Sequence, residues 1–121
     1  MPVAAYNERM TMSQPVLVLT NLPDMASAEA LARSLVEQKL AACVNIVPAV
    51  KSVYRWQGAL EEADEVSLFI KTVDARYAKL EAAIKAVHPY ALPEIIALPI
   101  VAGLPAYLAW IAAETTKEMK T

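Results

Sequence analysis

Hydrophobic and polar positions in this chain alternate in some segments and repeat with helical spacing in others. An apolar, mostly β-branched run at residues 16–20 predicts a buried first strand. Residues 28–39 carry apolar positions at helical spacing and charged side chains between them, which predicts an amphipathic helix. Ser27 is the predicted N-cap of this helix, because its hydroxyl can accept a hydrogen bond from the first turn.

The middle of the chain predicts a long β-hairpin. Residues 43–57 alternate as one strand, and residues 65–73 alternate as the returning strand. Pro48 cannot donate to a ladder, so a bulge or bend is expected there. The turn is placed at Gln57-Gly58, because glycine accepts the positive φ of a tight turn.

The last third of the chain predicts a helix, a strand and a second helix. Residues 75–87 have an apolar stripe at helical spacing, and residues 95–100 are a short apolar strand. Pro99 places that strand at a sheet edge. Pro105 suits the first turn of a final helix over residues 106–116.

The predicted order is β-α-β-β-α-β with an additional C-terminal helix. Two right-handed crossovers with a hairpin between them give an α+β fold, the split β-α-β or ferredoxin-like sandwich. The sheet is antiparallel, with helices on one face and the other face open. We predict one domain over residues 15–121, preceded by a disordered leader at residues 1–14.

The composition predicts self-association. Apolar residues make up 57% of the 121 positions, and the mean hydropathy is +0.35. A domain of this size leaves much surface exposed, and copies of the chain are the simplest cover for it. Tyr54 and Trp56, near the hairpin tip, are predicted at such an interface. A ligand cage is the alternative, and aromatic enrichment at interfaces favours the first.

Charge and cysteine content exclude several partners. A net charge of −2 argues against nucleic-acid binding, which requires clustered basic residues. Residues 95–113 carry no charge, but Pro99, Gly103 and Pro105 interrupt them, so no membrane helix is predicted. The first residues lack a secretory pattern, and the single cysteine fits a reducing compartment, so we expect a cytoplasmic protein.

Little in the sequence indicates catalysis. There is no glycine-rich phosphate loop, no paired-cysteine or zinc-protease motif and no nucleophile elbow, so we predict that the chain is not an enzyme. The single histidine, His88, is either a metal ligand or a residue that interacts with helix-end carbonyls, and we favour the second. Cys43 is more typical of a small buried residue than of a metal ligand.

Other polar groups leave two interpretations open. The acidic run at residues 61–65 could hold a hard cation, but it lacks the spacing of a calcium loop and is more typical of a solvated turn. Lys71, Tyr90 and Glu94 stand among apolar segments. They either line a cleft or face water at strand ends, and spacing alone does not decide between these.

Several motifs, in order along the chain, resemble one family, the CutA divalent-cation-tolerance proteins. They span residues 16–116 and include KLAACVN at 39–45, YRWQGAL at 54–60, IKT at 70–72, HPY at 88–90, PE at 93–94 and YLAW at 107–110. The resemblance implies a ferredoxin-like homotrimer, similar in architecture to PII signalling proteins. It also implies a role in tolerance of copper and other divalent metals, and no enzymatic activity.

The resemblance carries over only part of a metal site. The enteric pattern has a cysteine where this chain has Thr20, and a second histidine where it has Val87. His88 remains, with Glu94 as a tentative second ligand for Cu(II) or another divalent cation, weakly bound. The residues that match the family's inter-subunit cleft are Trp56, Lys71, His88, Tyr90 and Glu94.

Three functions follow as hypotheses. The first is a cytoplasmic homotrimer of the metal-ion response that binds copper weakly. The second is a PII-like trimer that binds a small metabolite in its inter-subunit cleft. The third is a structural scaffold trimer that binds a protein partner.

Overall fold

The computed structural model describes residues 13–116, and most of the predicted leader therefore lies outside the described residues. Four strands and three helices follow one another in the predicted order. They are β1 (Pro15–Leu22), α1 (Met25–Glu37), β2 (Cys43–Trp56), β3 (Ala59–Val73), α2 (Tyr77–Val87), β4 (Ile96–Pro99) and α3 (Pro105–Glu114), with a short 3-10 turn at Asp74–Arg76 before α2.

The four strands form one sheet in the order β2-β3-β1-β4, and every neighbouring pair is antiparallel. This order is the one that two split β-α-β crossovers produce, so the predicted ferredoxin-like fold is confirmed. β4 is an edge strand, which is where a strand containing Pro99 can be accommodated.

The core lies between the sheet and the first two helices. Val18, Leu68 and Ile70 project from β1 and β3, and they pack with Leu35 of α1 and Ile84 of α2. All five side chains are fully buried. Because side chains alternate along a strand, this packing fixes the odd-numbered positions of β1 and β3 on the opposite face.

That opposite face is not wholly open, contrary to the prediction. Helix α3 covers one end of it, where Ile111 packs against Val73 and Ala42. Beyond this end, Leu17 pairs with Leu98, and Leu19 pairs with Phe69 and Ile96. We call these five residues, which are half-buried or exposed, the open face: Leu17, Leu19, Phe69, Ile96 and Leu98.

Helix α1 begins three residues before the predicted start. Its N-cap is Asp24 and not Ser27, because Asp24 Oδ1 accepts a hydrogen bond of 2.8 Å from the Ser27 backbone N–H. This bond to the charged carboxylate lowers the pKa of Asp24 below its usual value. The helix ends at Glu37, before the predicted Lys39, which has a left-handed backbone with φ 60°.

The hairpin turn has the predicted geometry. Gln57 and Gly58 both have positive φ, 50° and 84°, which is the two-residue turn that matches strand twist. The returning strand is longer than predicted, because it begins at Ala59. The acidic run at residues 61–65 is therefore part of a strand, and its interpretation as a turn was wrong.

The predicted irregularity at Pro48 is a β-bulge. Val47 pairs with Ser67 and Val50 pairs with Glu65, so two residues of β2 face one residue of β3. The second of these two β2 residues, Ala49, has a positive φ of 63°. Within residues 13–116, no helix has both the length and the apolar character that a membrane crossing requires.

Two buried threonines provide a matched test of the core. Thr20 and Thr72 are both fully buried, but Thr72 Oγ1 donates to Leu40 O at 2.7 Å, whereas Thr20 Oγ1 has no hydrogen-bond partner among residues 13–116. An unpaired buried hydroxyl costs about 1–3 kcal/mol. We expect Thr20→Val to raise the free energy of unfolding and Thr72→Val to lower it by about 1 kcal/mol. Denaturant unfolding measures both free energies. Equal changes in the two variants would contradict the difference in hydrogen bonding between Thr20 and Thr72.

Candidate functional site

The candidate site is a cleft beside the outer half of the hairpin. β1 ends at Leu22, opposite Val66, whereas β2 and β3 continue as a two-stranded arm over residues 50–65. The segment between α2 and β4, residues 88–95, crosses the base of this arm, and we call it the crossing segment. The cleft between them has a volume of about 820 Å³ and is lined by Asn21, residues 52–56, Glu65, residues 89–92 and Glu94.

Asn21 joins the sheet to the crossing segment. Its Nδ2 donates to Glu94 Oε1 at 3.0 Å, and its Oδ1 accepts a hydrogen bond from the Ser67 hydroxyl. Its main-chain oxygen is 2.7 Å from Nε2 of His88. One residue near the end of β1 therefore holds both ends of the crossing segment.

His88 uses both ring nitrogens within the fold. Because a carbonyl can only accept, the contact with Asn21 O requires a proton on Nε2. Nδ1 accepts a hydrogen bond of 3.2 Å from the Tyr90 backbone N–H, and the two rings pack with centroids 4.8 Å apart. The favoured interpretation of His88 was an interaction with carbonyls at the end of a helix. The carbonyl that its ring contacts belongs to β1 instead.

A buried carboxylate forms the inner wall of the cleft. Glu65 is only 8% exposed, and its Oε2 accepts a hydrogen bond of 2.9 Å from the Tyr90 hydroxyl. It lies two residues from Ser67 on β3, so both project from the face opposite α1 and α2. The bond to Tyr90 fixes the crossing segment against the arm.

The surroundings of Tyr90 oppose its ionisation. Burial, then the hydrogen bond to Glu65 and the charge of that carboxylate, raise the pKa of Tyr90 from 10.0 to about 12. Tyr54 and Asp24 contribute in the same direction. The hydroxyl therefore stays a neutral donor over the whole physiological range.

Aromatic side chains form the outer wall of the cleft. Tyr54 and Trp56 alternate on one face of the arm, and they are 43% and 41% exposed. Between them, Arg55 Nη1 donates to Gly58 O at 3.5 Å, so the guanidinium is directed towards the turn. The arm thus places the rings of Tyr54 and Trp56 along the cleft, whereas the guanidinium of Arg55 is directed towards the turn.

The structure brings together most, but not all, of the predicted cleft residues. Trp56, Tyr90 and Glu94 line the cleft, and His88 is tied to it through Asn21. Lys71 lies elsewhere in the chain, where its Nζ contacts the Tyr107 hydroxyl at 3.4 Å and lies 5.6 Å from the ring centroid. Within one chain, Lys71 is not part of the cleft.

The positions of possible metal ligands are dispersed. Thr20 is fully buried on the face covered by α1 and α2, whereas Val87 is 64% exposed. His88 and Glu94 are linked only through Asn21. Residues 13–116 contain no group of three or more histidine, cysteine, aspartate or glutamate side chains placed to hold a metal ion.

Two residues of the site were not predicted. Asn21 and Ser67 are polar positions that continue the alternation of apolar strands, and each projects from the same face as Phe69. A polar residue on such a face is the only available signal in the sequence. Glu65 was considered only as one member of the acidic run, because its burial depends on the crossing segment.

The raised pKa of Tyr90 can be tested by titration. Absorbance of tyrosinate should reveal one tyrosine that ionises near pH 12, and Tyr90→Phe should remove it. Because the folded-state pKa is raised, the associated stability is present below about pH 10 and is lost as the pH rises through about 12. Glu65→Gln should lower the pKa of Tyr90 only in part, since burial remains. If Tyr90→Phe instead removed a tyrosine that ionises near the usual pKa of about 10, this account would be contradicted.

Comparisons with known proteins place the chain in a family. The family described as CutA1 divalent ion tolerance protein matches residues 16–114. A Thermus thermophilus divalent-cation tolerance protein CutA is 48% identical over 99 residues, which cover 82% of this chain and 96% of that one. The Arabidopsis thaliana protein CutA, chloroplastic, is 42% identical over 100 residues, 83% of this chain and 55% of that one.

The fold agrees with solved structures of the same family. The crystal structure of CutA from Xylella fastidiosa superimposes with a TM-score of 0.83 at 43% sequence identity, over 86% of this chain and all of that one. Sequence and structure thus agree along nearly the whole described part. The chain belongs to the CutA1 family of divalent ion tolerance proteins.

Proposed function

We propose that this chain acts in the tolerance of divalent metal ions as a homotrimer. The Thermus thermophilus relative is named for divalent-cation tolerance, and neither it nor the Arabidopsis thaliana relative is named for an enzymatic activity, which supports a binding role. The trimer is supported by the apolar surface that a single chain leaves exposed to solvent. Phe69, Ile96 and Leu98 on the open face are 40%, 49% and 42% exposed.

The arm supplies a second surface in need of cover. Val53, Tyr54, Trp56 and Leu60 are each more than 40% exposed, although a two-stranded ribbon has little stability alone. Large contiguous apolar patches are rare on soluble monomers. A ring of three copies, in which each arm contacts the next subunit, would cover the arm and the open face together. We place Tyr54 and Trp56 in this interface.

Copper enters the proposal as a weak ligand at His88, with Glu94 as a tentative second ligand. Both nitrogens of His88 are engaged, so a metal ion at Nε2 must replace the hydrogen bond to Asn21 O. That exchange lowers the net affinity for the metal ion, because a half-buried carbonyl is left without its donor. The proposal is therefore a labile metal contact and not a resident structural ion.

A second candidate function is supported by the cleft itself. A volume of about 820 Å³ is within the range of small-molecule sites, and three aromatic rings and two carboxylates line it. We propose a PII-like trimer that senses a metabolite as this alternative. The cytoplasmic location is likewise a proposal that rests on the lone Cys43, and one relative is named as chloroplastic.

Oligomeric state is the first test. Sedimentation equilibrium should give about three times the 13.2 kDa chain mass. Trp56→Ala should weaken assembly by a few kcal/mol, on the order of 3, because a large side chain leaves an interface. Val36→Ala is a matched control, since Val36 has the same 41% exposure but lies on α1. A monomeric wild type, or equal effects of the two substitutions, would exclude this interface.

Copper binding is the second test. His88 is the only histidine, so an imidazole-nitrogen signal in the electron paramagnetic resonance spectrum of the Cu(II)-loaded protein can come only from it. We expect that signal in wild type, its loss in His88→Ala and a weaker apparent affinity in Glu94→Gln. Sedimentation of each variant checks that assembly is intact. Unchanged Cu(II) binding in His88→Ala would remove His88 from the proposal.

A further inference from the structure

The charges that line the cleft are predominantly negative. Glu65 and Glu94 are both lining residues, and Arg55 is the only basic residue among them. Arg55 contacts the turn carbonyl of Gly58, which holds its charge away from the inner wall. The site is thus electrostatically suited to a positively charged group.

The hydrogen-bond donors to the two carboxylates are neutral groups. Glu65 accepts from the Tyr90 hydroxyl, and Glu94 accepts from the Asn21 side-chain amide. These hydrogen bonds orient the carboxylates but do not cancel their charge. Since Glu65 is more than nine-tenths buried, a cation beside it would be screened little by solvent.

Aromatic rings surround the same space. Tyr54, Trp56 and Tyr90 line the cleft, and the faces of such rings attract ammonium groups. Pro89 and Leu92 add apolar surface at the entrance. The buried carboxylate of Glu65 and the exposed carboxylate of Glu94, beside these aromatic and apolar side chains, form a surface that is complementary to an ammonium group on a short hydrocarbon body.

We propose that this cleft binds a small organic cation, an amine or quaternary ammonium compound of that kind. The inference deepens the second candidate function by naming the ligand class of its cleft. Every lining residue belongs to one chain, so the inference rests on the cleft of that candidate function. It requires that Tyr54 and Trp56, which the proposed trimer places against the next subunit, still face the cleft after assembly. An anionic metabolite is disfavoured by the two carboxylates and by the same environment that keeps Tyr90 un-ionised.

Fluorescence of Trp56 provides a direct binding assay. The chain has two tryptophans, and Trp110 lies on α3 beside Tyr107, so Trp110→Phe leaves Trp56 as the sole reporter. The probes are choline and butylamine, with 3,3-dimethylbutanol as the neutral analogue of choline and succinate as an anion. We expect saturable changes with both cations, and binding of the alcohol and of succinate at least about ten-fold weaker.

Substitutions then locate the binding. Glu65→Gln and Glu94→Gln should each weaken choline binding about ten-fold or more, because each removes one charge-assisted contact. Glu62→Gln is the matched control, as an exposed acidic residue of the same strand that does not line the cleft. Circular dichroism confirms folding, and if Glu65→Gln fails to fold, Glu94→Gln carries the test alone.

The outcomes separate this inference from the proposed function. No saturation by choline or butylamine up to about 10 mM, equal binding of the neutral alcohol, or equal effects of Glu62→Gln and Glu94→Gln would each overturn it. Saturable binding of Cu(II) without binding of either amine would also overturn it, and would leave the metal proposal standing. A monomer that binds choline would exclude the trimer and retain the inference.

Discussion

Strand β3 pairs with two neighbours of unequal length, and the cleft depends on that inequality. On one side, β1 stops at Leu22, while on the other β2 continues with β3 to the turn at Gln57. The extra length forms a ribbon, and no strand or helix in the described part of the chain covers both of its sides. A ribbon of this kind requires further contacts. The crossing segment supplies them at its base, and the proposed neighbouring subunits would supply them at its tip.

The contacts at the base are polar and are shared among few residues. Asn21 bonds to Ser67, Glu94 and His88, and Tyr90 bonds to Glu65. Buried or half-buried polar groups are stabilising only when they are paired, and here each pairing also positions a lining residue. The hydrogen bonds that close the fold at this end are therefore the ones that shape the cleft.

The sequence allowed the fold to be predicted because its signals were local. Gln57-Gly58 marks the turn and Pro48 marks the bulge, and helical spacing locates α2. The N-cap was misplaced because Pro23-Asp24 and Ser27 offer two capping side chains three residues apart. The packing of Ile111 against Val73 was missed, since no periodicity tells which face of a sheet a terminal helix will cover.

The site was less predictable for a physical reason. Trp56, Tyr90 and Glu94 were expected in a cleft from the resemblance, but the partners that fix them are distant along the chain. Asn21 lies 73 positions from Glu94, and Tyr90 lies 25 positions from Glu65. Burial of Glu65 is a property of that arrangement and cannot be obtained from an acidic run. Lys71 does not join the set within one chain, because it contacts Tyr107 of α3 instead.

The double engagement of His88 would make the two proposed ligands, a metal ion and a cleft-bound compound, antagonists. A metal ion that takes Nε2 releases the carbonyl of Asn21 and loosens the segment that carries Tyr90 and Glu94. Any compound that tightens this segment against the arm must then weaken metal capture by the same factor, because the free energy of coupling between two ligands is reciprocal. The imidazole would thus let metal load and cleft occupancy report on each other, in addition to any competition for the Glu94 carboxylate.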